Sequence, residues 1–195
     1  MICTTVNDSK VKGMDIVSRH LMERNVFIEG EITSVSAQRT ILELLYLDAE
    51  NSDKDVNLYI QSTGGNVQAA LAIIDTMELI KSKVNTICVG LCASAASIIL
   101  AAGDKRFALK NSEIMIHQPS TGIQGNASDI EIVANHILDC KRKIYELLAE
   151  YTGKTVKQIT KDSDRDHWMT AAEAVEYGII DEILKGEKKK VAKTQ

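Results

Sequence analysis

"DVNLYIQSTGGNVQAALAIIDTMELIKSKVNTICVGLCASAASIILAAG", residues 55–103, carries one pattern twice. Residues 55–61 are rich in Val, Leu, Ile and Tyr and read as a strand, which "STGGN" then breaks; residues 67–82 place their apolar side chains at helical spacing. Residues 84–90 form a second, β-rich and buried strand, and a helix of small apolar residues follows at once. Two strand–turn–helix units in succession are the signature of a layered α/β domain.

The alternation continues on both sides. Upstream, residues 14–25 read as a helix, 26–30 as a short strand and 34–51 as a long amphipathic helix. Downstream, "KRFAL" and "EIMIH" look like a strand pair around "KNS", and residues 118–128 form a polar loop holding the only proline, Pro119. Residues 129–153 then make a long helix that Gly153 stops. Residues 155–164 and 169–178 are shorter helices, the second with Thr170 and Glu173 as a capping box, and "IIDEIL" closes the fold. The lysine-rich tail, residues 186–195, reads as solvated and disordered. With 195 residues and neither an internal repeat nor a low-complexity linker, residues 1–185 are expected to form one domain.

Composition narrows the function. The chain is 45% hydrophobic and 26% charged, as soluble domains are, and with 4% aromatic residues its core must come from Ile, Leu, Val, Ala and Met. A net charge of -4, without basic blocks inside the fold, argues against nucleic acid as a partner. Cys3, Cys88, Cys92 and Cys140 include no C-x-x-C pair and no signal peptide opens the chain, so a reduced, cytoplasmic setting is expected. His136 and Cys140 stand four apart on a helix face, but two ligands do not close a zinc site, and no metal is expected.

Three places carry candidate chemistry. Ser94 follows the second strand and falls in the first turn of the next helix, where free N–H groups favour negative charge; the same position also suits a plain N-cap. Gly64 and Gly65 follow the neighbouring strand and let the backbone approach a ligand closely, although glycine is also the default turn residue. His117 ends "EIMIH" where a strand gives way to a loop. A serine nucleophile needs a base, and the base needs an acid; "KDSDRDHW" (161–168) offers Asp162, Asp164 and Asp166, among which spacing does not choose. The P-loop and dinucleotide glycine patterns are absent, and "CASAA" lacks the flanking glycines of an α/β-hydrolase elbow.

From "DIVSRHLMERNVFIEGEI" through "QSTGGNV", "TICVGLCASAAS", "LAAGDKRF", "IMIHQP" and "QGNASDIEI" to "DRDHWMTAAEAVEYGIIDEIL", nearly the whole chain resembles the caseinolytic (Clp) serine proteases, the ClpP family. The resemblance implies an α/β spiral of ββα units, as in crotonases, with a protruding handle at residues 118–151 and an axial N-terminal segment at residues 1–14. By position it makes Ser94 the nucleophile, His117 the general base and Asp166 the residue that orients the histidine. It puts the oxyanion hole at the backbone N–H groups of Gly65 and Ala95. It further implies two stacked seven-membered rings in contact through Asp164 and Arg165, and an AAA+ unfoldase of the ClpX, ClpA or ClpC type docking near Tyr59, Leu79 and Phe107. No cofactor is implied; ATP is used by the unfoldase.

The departures bear on partners and specificity. "QSTGG" stands where the family usually has Asn-Ser-Pro-Gly-Gly, and Ala95 where a methionine usually follows the nucleophile, so the pocket for the residue before the cut bond is expected to differ in size. "AAGDKRF" is two residues shorter than the usual turn. Asn57 replaces a common tyrosine and Leu79 a common phenylalanine of the docking pockets, and "VNDSKVKG" is shorter than the usual axial loop. Weakened docking, or a mixed ring with a second ClpP-type subunit, is the expectation. The rival readings are a weakly active or structural paralogue in such a ring and, more distantly, a crotonase-type acyl-CoA enzyme.

Overall fold

The computed structural model describes residues 2–7, 10–120 and 122–186, with side chains from Asp15 onward within those ranges. At the N-terminus β1 (Ile2–Asn7) pairs antiparallel with β2 (Lys10–Asp15). The helix expected at residues 14–25 is therefore shorter: α1 (Ile16–Met22) starts only where this hairpin ends, with the Asp15 carboxylate accepting from the N–H groups of Val17 and Ser18. The expected tail beyond residue 186 lies outside the described residues.

The order then runs β3 (Asn25–Ile32), α2 (Ser34–Glu50), β4 (Val56–Gly65), α3 (Val67–Leu79), β5 (Val84–Ala93) and α4 (Ala95–Ala101). After these come β6 (Lys105–Leu109), β7 (Glu113–Ile116), α5 (Ala127–Thr152), α6 (Val156–Asp162), β8 (His167–Thr170), α7 (Ala171–Tyr177) and β9 (Glu182–Leu184). A seven-stranded sheet has the order β3-β4-β5-β6-β9, with β7 pairing to β5 and β8 to β7. Every pairing in it is parallel except β7 with β8. The layered α/β class is as the sequence pattern implied.

Two expected boundaries move. "STGG" does not break its strand: β4 continues to Gly65, because a bulge between Glu29 and Glu31 of β3 lets the pair resume at Glu31↔Gly64 and Ile32↔Gly65. β5 likewise runs on to Ala93 past Gly90, whose φ of 80° marks an irregularity in its pairing with β4.

A third expectation fails. "KRFAL" and "EIMIH" do not pair with each other; β6 lies along the first half of β5 (Asn85–Cys88) and β7 along the second half (Leu91–Ala93). Buried Ser112, just before β7, stabilises this division: its hydroxyl donates to the Cys88 carbonyl at 3.0 Å and accepts from the Gly90 N–H at 3.1 Å. The helix expected at residues 169–178 begins later for a similar reason, since residues 167–170 pair with β7 as β8. Its capping box, Thr170 with Glu173, is present.

The core sits between the sheet and α2, α3 and α4, where Leu44, Leu47, Leu58, Ile60, Ile73, Ile74, Ile99 and Leu100 are almost wholly buried. Each such side chain contributes about 1.5–3 kcal/mol of burial free energy. Helix α5 is different along its length. Its second half packs Ile144, Tyr145 and Leu148 into the core, whereas Ile130, Ile132, Val133 and Leu138 of the first half remain exposed. Gly153, at φ 71°, ends it.

Candidate active site

Strand register assembles the site. β5 and β7 run parallel with Ala93 opposite Met115, and the Ser94 N–H donates to the Met115 carbonyl at 2.9 Å, which sets Ser94 beside the end of β7. β7 and β8 run antiparallel with Ile116 opposite His167, so the residues just beyond, His117 and Asp166, face each other. Of the three aspartates left open by spacing, Asp166 is the one set beside His117.

The side chains meet accordingly. The Ser94 hydroxyl lies 2.8 Å from His117 Nε2, and His117 Nδ1 lies 2.9 Å from Asp166 Oδ1. Ser94 and His117 are half-buried, while Asp166 is 58% exposed in the single chain. Asp162 is committed elsewhere: partial burial acts to raise its pKa, but hydrogen bonds from Gln158 and Tyr177 outweigh this and hold it below the usual carboxylate range. Asp164 and Arg165 stand 3.9 Å apart on the surface, 67% and 92% exposed.

Ser94 is not in the first turn of α4, as its position in the sequence suggested. It is the residue between β5 and α4, at φ 55° and ψ −126°, and its hydroxyl makes no cap bond. A non-glycine residue held in that region costs about 1–3 kcal/mol, and such strain collects at functional sites. The turn is held from both sides. Met115 accepts its N–H, and the buried Ser97 hydroxyl donates to the Ser94 carbonyl at 2.7 Å. The second serine of "CASAAS" therefore braces the first. Ala95, as the first helical residue, has an N–H without an intrahelical acceptor, next to the Ser94 hydroxyl.

The glycine pair lies against this turn. A Cβ on Gly64 would come within 2.6 Å of the Ala93 carbonyl, 2.7 Å of Ser94 Cβ and 2.9 Å of the Ala95 nitrogen. Gly65 is as crowded against Ile32, whose carbonyl a Cβ would meet at 2.3 Å. Both have positive φ, 90° and 146°. The close contact of Gly64 with Ser94 was hidden in the sequence, because nothing in "STGGN" says which glycine faces the neighbouring strand.

Gln118 was also missed as a bracket. Its N–H donates to the Ser163 carbonyl at 2.7 Å and its side-chain amide to the Asp164 carbonyl at 2.8 Å, fixing the segment before Asp166 to the residue after His117. Lys141 of α5 in turn donates to Gln118 Oε1 at 2.9 Å. The docking candidates lie elsewhere: Leu79 is 77% exposed at the end of α3, Tyr59 stacks on Phe27 at 5.2 Å, and Phe107 is half-buried in β6.

A serine, an imidazole and a carboxylate in series, at the start of a helix whose first residue is Ala95, is an arrangement for acyl transfer. A family model described as Clp protease matches residues 8–187 of the 195. The chain belongs to the Clp protease family. Membership makes it a protease of Clp type, and the mostly parallel sheet with its helices agrees with that fold. Among the described residues of this Clp protease, no helix is long and apolar enough to cross a membrane, and no group of three or more His, Cys, Asp or Glu is placed to hold a metal.

Proposed function

We propose that this Clp protease is a serine endopeptidase in which Ser94 attacks the peptide carbonyl, His117 accepts its proton and Asp166 holds the imidazole with Nδ1–H directed at the carboxylate. The observation that carries the reading is the unbroken chain from the Ser94 hydroxyl to His117 Nε2 at 2.8 Å and from Nδ1 to Asp166 at 2.9 Å. His117 then returns the proton to the leaving amine, and water repeats the sequence in reverse to release the acyl group. The oxyanion is received by the N–H groups of Gly65 and Ala95, which supports the strain at Ser94 as preorganisation rather than defect. No cofactor takes part in these steps.

The physiological role we assign is the proteolytic core of an ATP-dependent protease in the cytoplasm, with short peptides cleaved unaided and proteins delivered by an AAA+ unfoldase. Assembly into two stacked heptamers is supported by the exposed Asp164–Arg165 pair and the uncovered first half of α5, and residues 1–14 are assigned to the axial entrance. Docking of the unfoldase falls to Tyr59, Leu79 and Phe107, weakened by Asn57 and Leu79, so that a second ClpP-type subunit is proposed for full docking.

The test is covalent. A fluorophosphonate is expected to label Ser94, and Ser94→Ala to lower cleavage of a fluorogenic peptide by about a millionfold. Label on another residue, or unchanged cleavage by the variant, would overturn the assignment.

A further inference from the structure

Peptide hydrolysis leaves one pair of side chains unused. His136 and Cys140 stand one turn apart on α5, with Nε2 3.7 Å from Sγ. Around a tetrahedral zinc ion, with metal–nitrogen and metal–sulfur bonds of ordinary length, the two donor atoms sit about 3.6 Å apart. The pair thus already has the separation of two ligands on one ion. A third group comes from a different element: the side-chain amide nitrogen of Gln68, on α3, is 3.4 Å from the same sulfur. A half-turn of that amide exchanges nitrogen for its carbonyl oxygen and puts another donor in the same place.

We infer that His136, Cys140 and Gln68 form a binding site for one divalent cation of the zinc class, clipping α3 to α5. On binding, Cys140 forms the metal–sulfur bond and loses its S–H proton to solvent; His136 binds as neutral imidazole, and water completes the shell. Soft ligands favour zinc or cobalt over magnesium or calcium. Two strong protein ligands instead of four make the site open and its affinity below that of a closed structural centre. Cys88 and Cys92 do not compete, because both are fully buried and burial pushes the Cys92 thiol up.

The site has a functional consequence that rests on the reading of Ser94 as nucleophile. Helix α3 starts immediately after Gly64, Gly65 and Asn66, and Gly64 lies against Ser94. An ion that fixes the first turn of α3 to α5 restrains one side of the peptide site, and occupancy is expected to slow cleavage.

Cobalt(II) is the probe. Titrated into the reduced full-length protein, it is expected to give a thiolate charge-transfer band in the near ultraviolet, saturating at one ion per chain and displaced by zinc. Cys140→Ser is expected to remove the band, His136→Ala to weaken binding by about tenfold or more, and Cys3→Ser to change neither. Far-ultraviolet circular dichroism checks that the variants keep their helices. No band in the parent, a band surviving in Cys140→Ser, or undiminished affinity in His136→Ala would overturn the site. In a parallel peptide assay, zinc is expected to slow the parent and spare Cys140→Ser; equal slowing of both would place the ion on His117 and overturn the coupling. A parent that cleaves no peptide refutes the Ser94 reading instead, and the cobalt band alone then judges the cation site.

Discussion

Gly64→Ala tests the active-site geometry at its tightest point. The new Cβ would stand 2.6 Å from the Ala93 carbonyl and 2.7 Å from Ser94 Cβ, where ordinary contact begins near about 3.4 Å. One side must give by several tenths of an ångström, and both neighbours belong to the turn that presents the hydroxyl. The left-handed φ of 90° adds about 1–2 kcal/mol of strain for any residue with a Cβ, and overpacking about 1–3 kcal/mol more. Because a misplacement near 1 Å costs about a hundredfold in rate, kcat/KM for a fluorogenic peptide is expected to fall by about that factor. The control is Gly153→Ala, which has a similar backbone penalty at φ 71° but open space around the added methyl, far from Ser94 in the chain. It should lower the melting temperature by about 2–4 °C for each kcal/mol lost while leaving turnover intact. Phosphonate labelling rates, peptide kinetics and thermal melts on both variants decide the matter. Gly64→Ala with turnover within twofold of the parent would refute the argument, since the glycine would then not be shaping the Ser94 turn.

Asp166→Asn is expected to lower kcat by about ten-thousandfold through loss of the correct imidazole tautomer, whereas Asp162→Asn should leave peptide turnover near that of the parent; kinetics on a short peptide substrate check this. Asp181 provides a pH prediction. Its hydrogen bond from the Arg106 guanidinium holds its carboxyl below the usual value, so its folded pKa lies under the unfolded one. The contribution to stability is therefore present above the ordinary carboxylate range and lost as pH falls through the folded pKa. Asp181→Asn should be less stable than the parent at neutral pH, and the difference should shrink on acidification, as read by denaturant midpoints from pH 7 to 3.

The sequence carried the α/β alternation, most helices, the Thr170–Glu173 capping box and the stop at Gly153, because apolar spacing and such end residues are local signals. It did not carry what depends on partners across the sheet. The continuation of β4 through "STGG" rests on a bulge in β3, and the division of β5 between β6 and β7 rests on Gly90 and Ser112. Met169 and Thr170 fall in the helix expected from the sequence, because their strand role exists only beside β7. At the site, Ser94 and His117 stood out by position, but the choice of Asp166 needed either the family resemblance or the antiparallel register that sets it opposite His117. Gly64 and Gln118 act through contacts with segments distant in sequence, which no local pattern reveals.

The separate pairing of β6 and β7 with β5 has a wider meaning for the stretch between Ser94 and His117. His117 takes its place from three rungs of hydrogen bonding at Leu91–Ala93, not from the path the intervening chain follows. Length can thus change in the turn between α4 and β6 without displacing the imidazole, the turn in which "AAGDKRF" is already short. The strand ladder thus separates two demands on the chain: the rungs hold His117 in reach of Ser94, and the turn outside them is released from that duty.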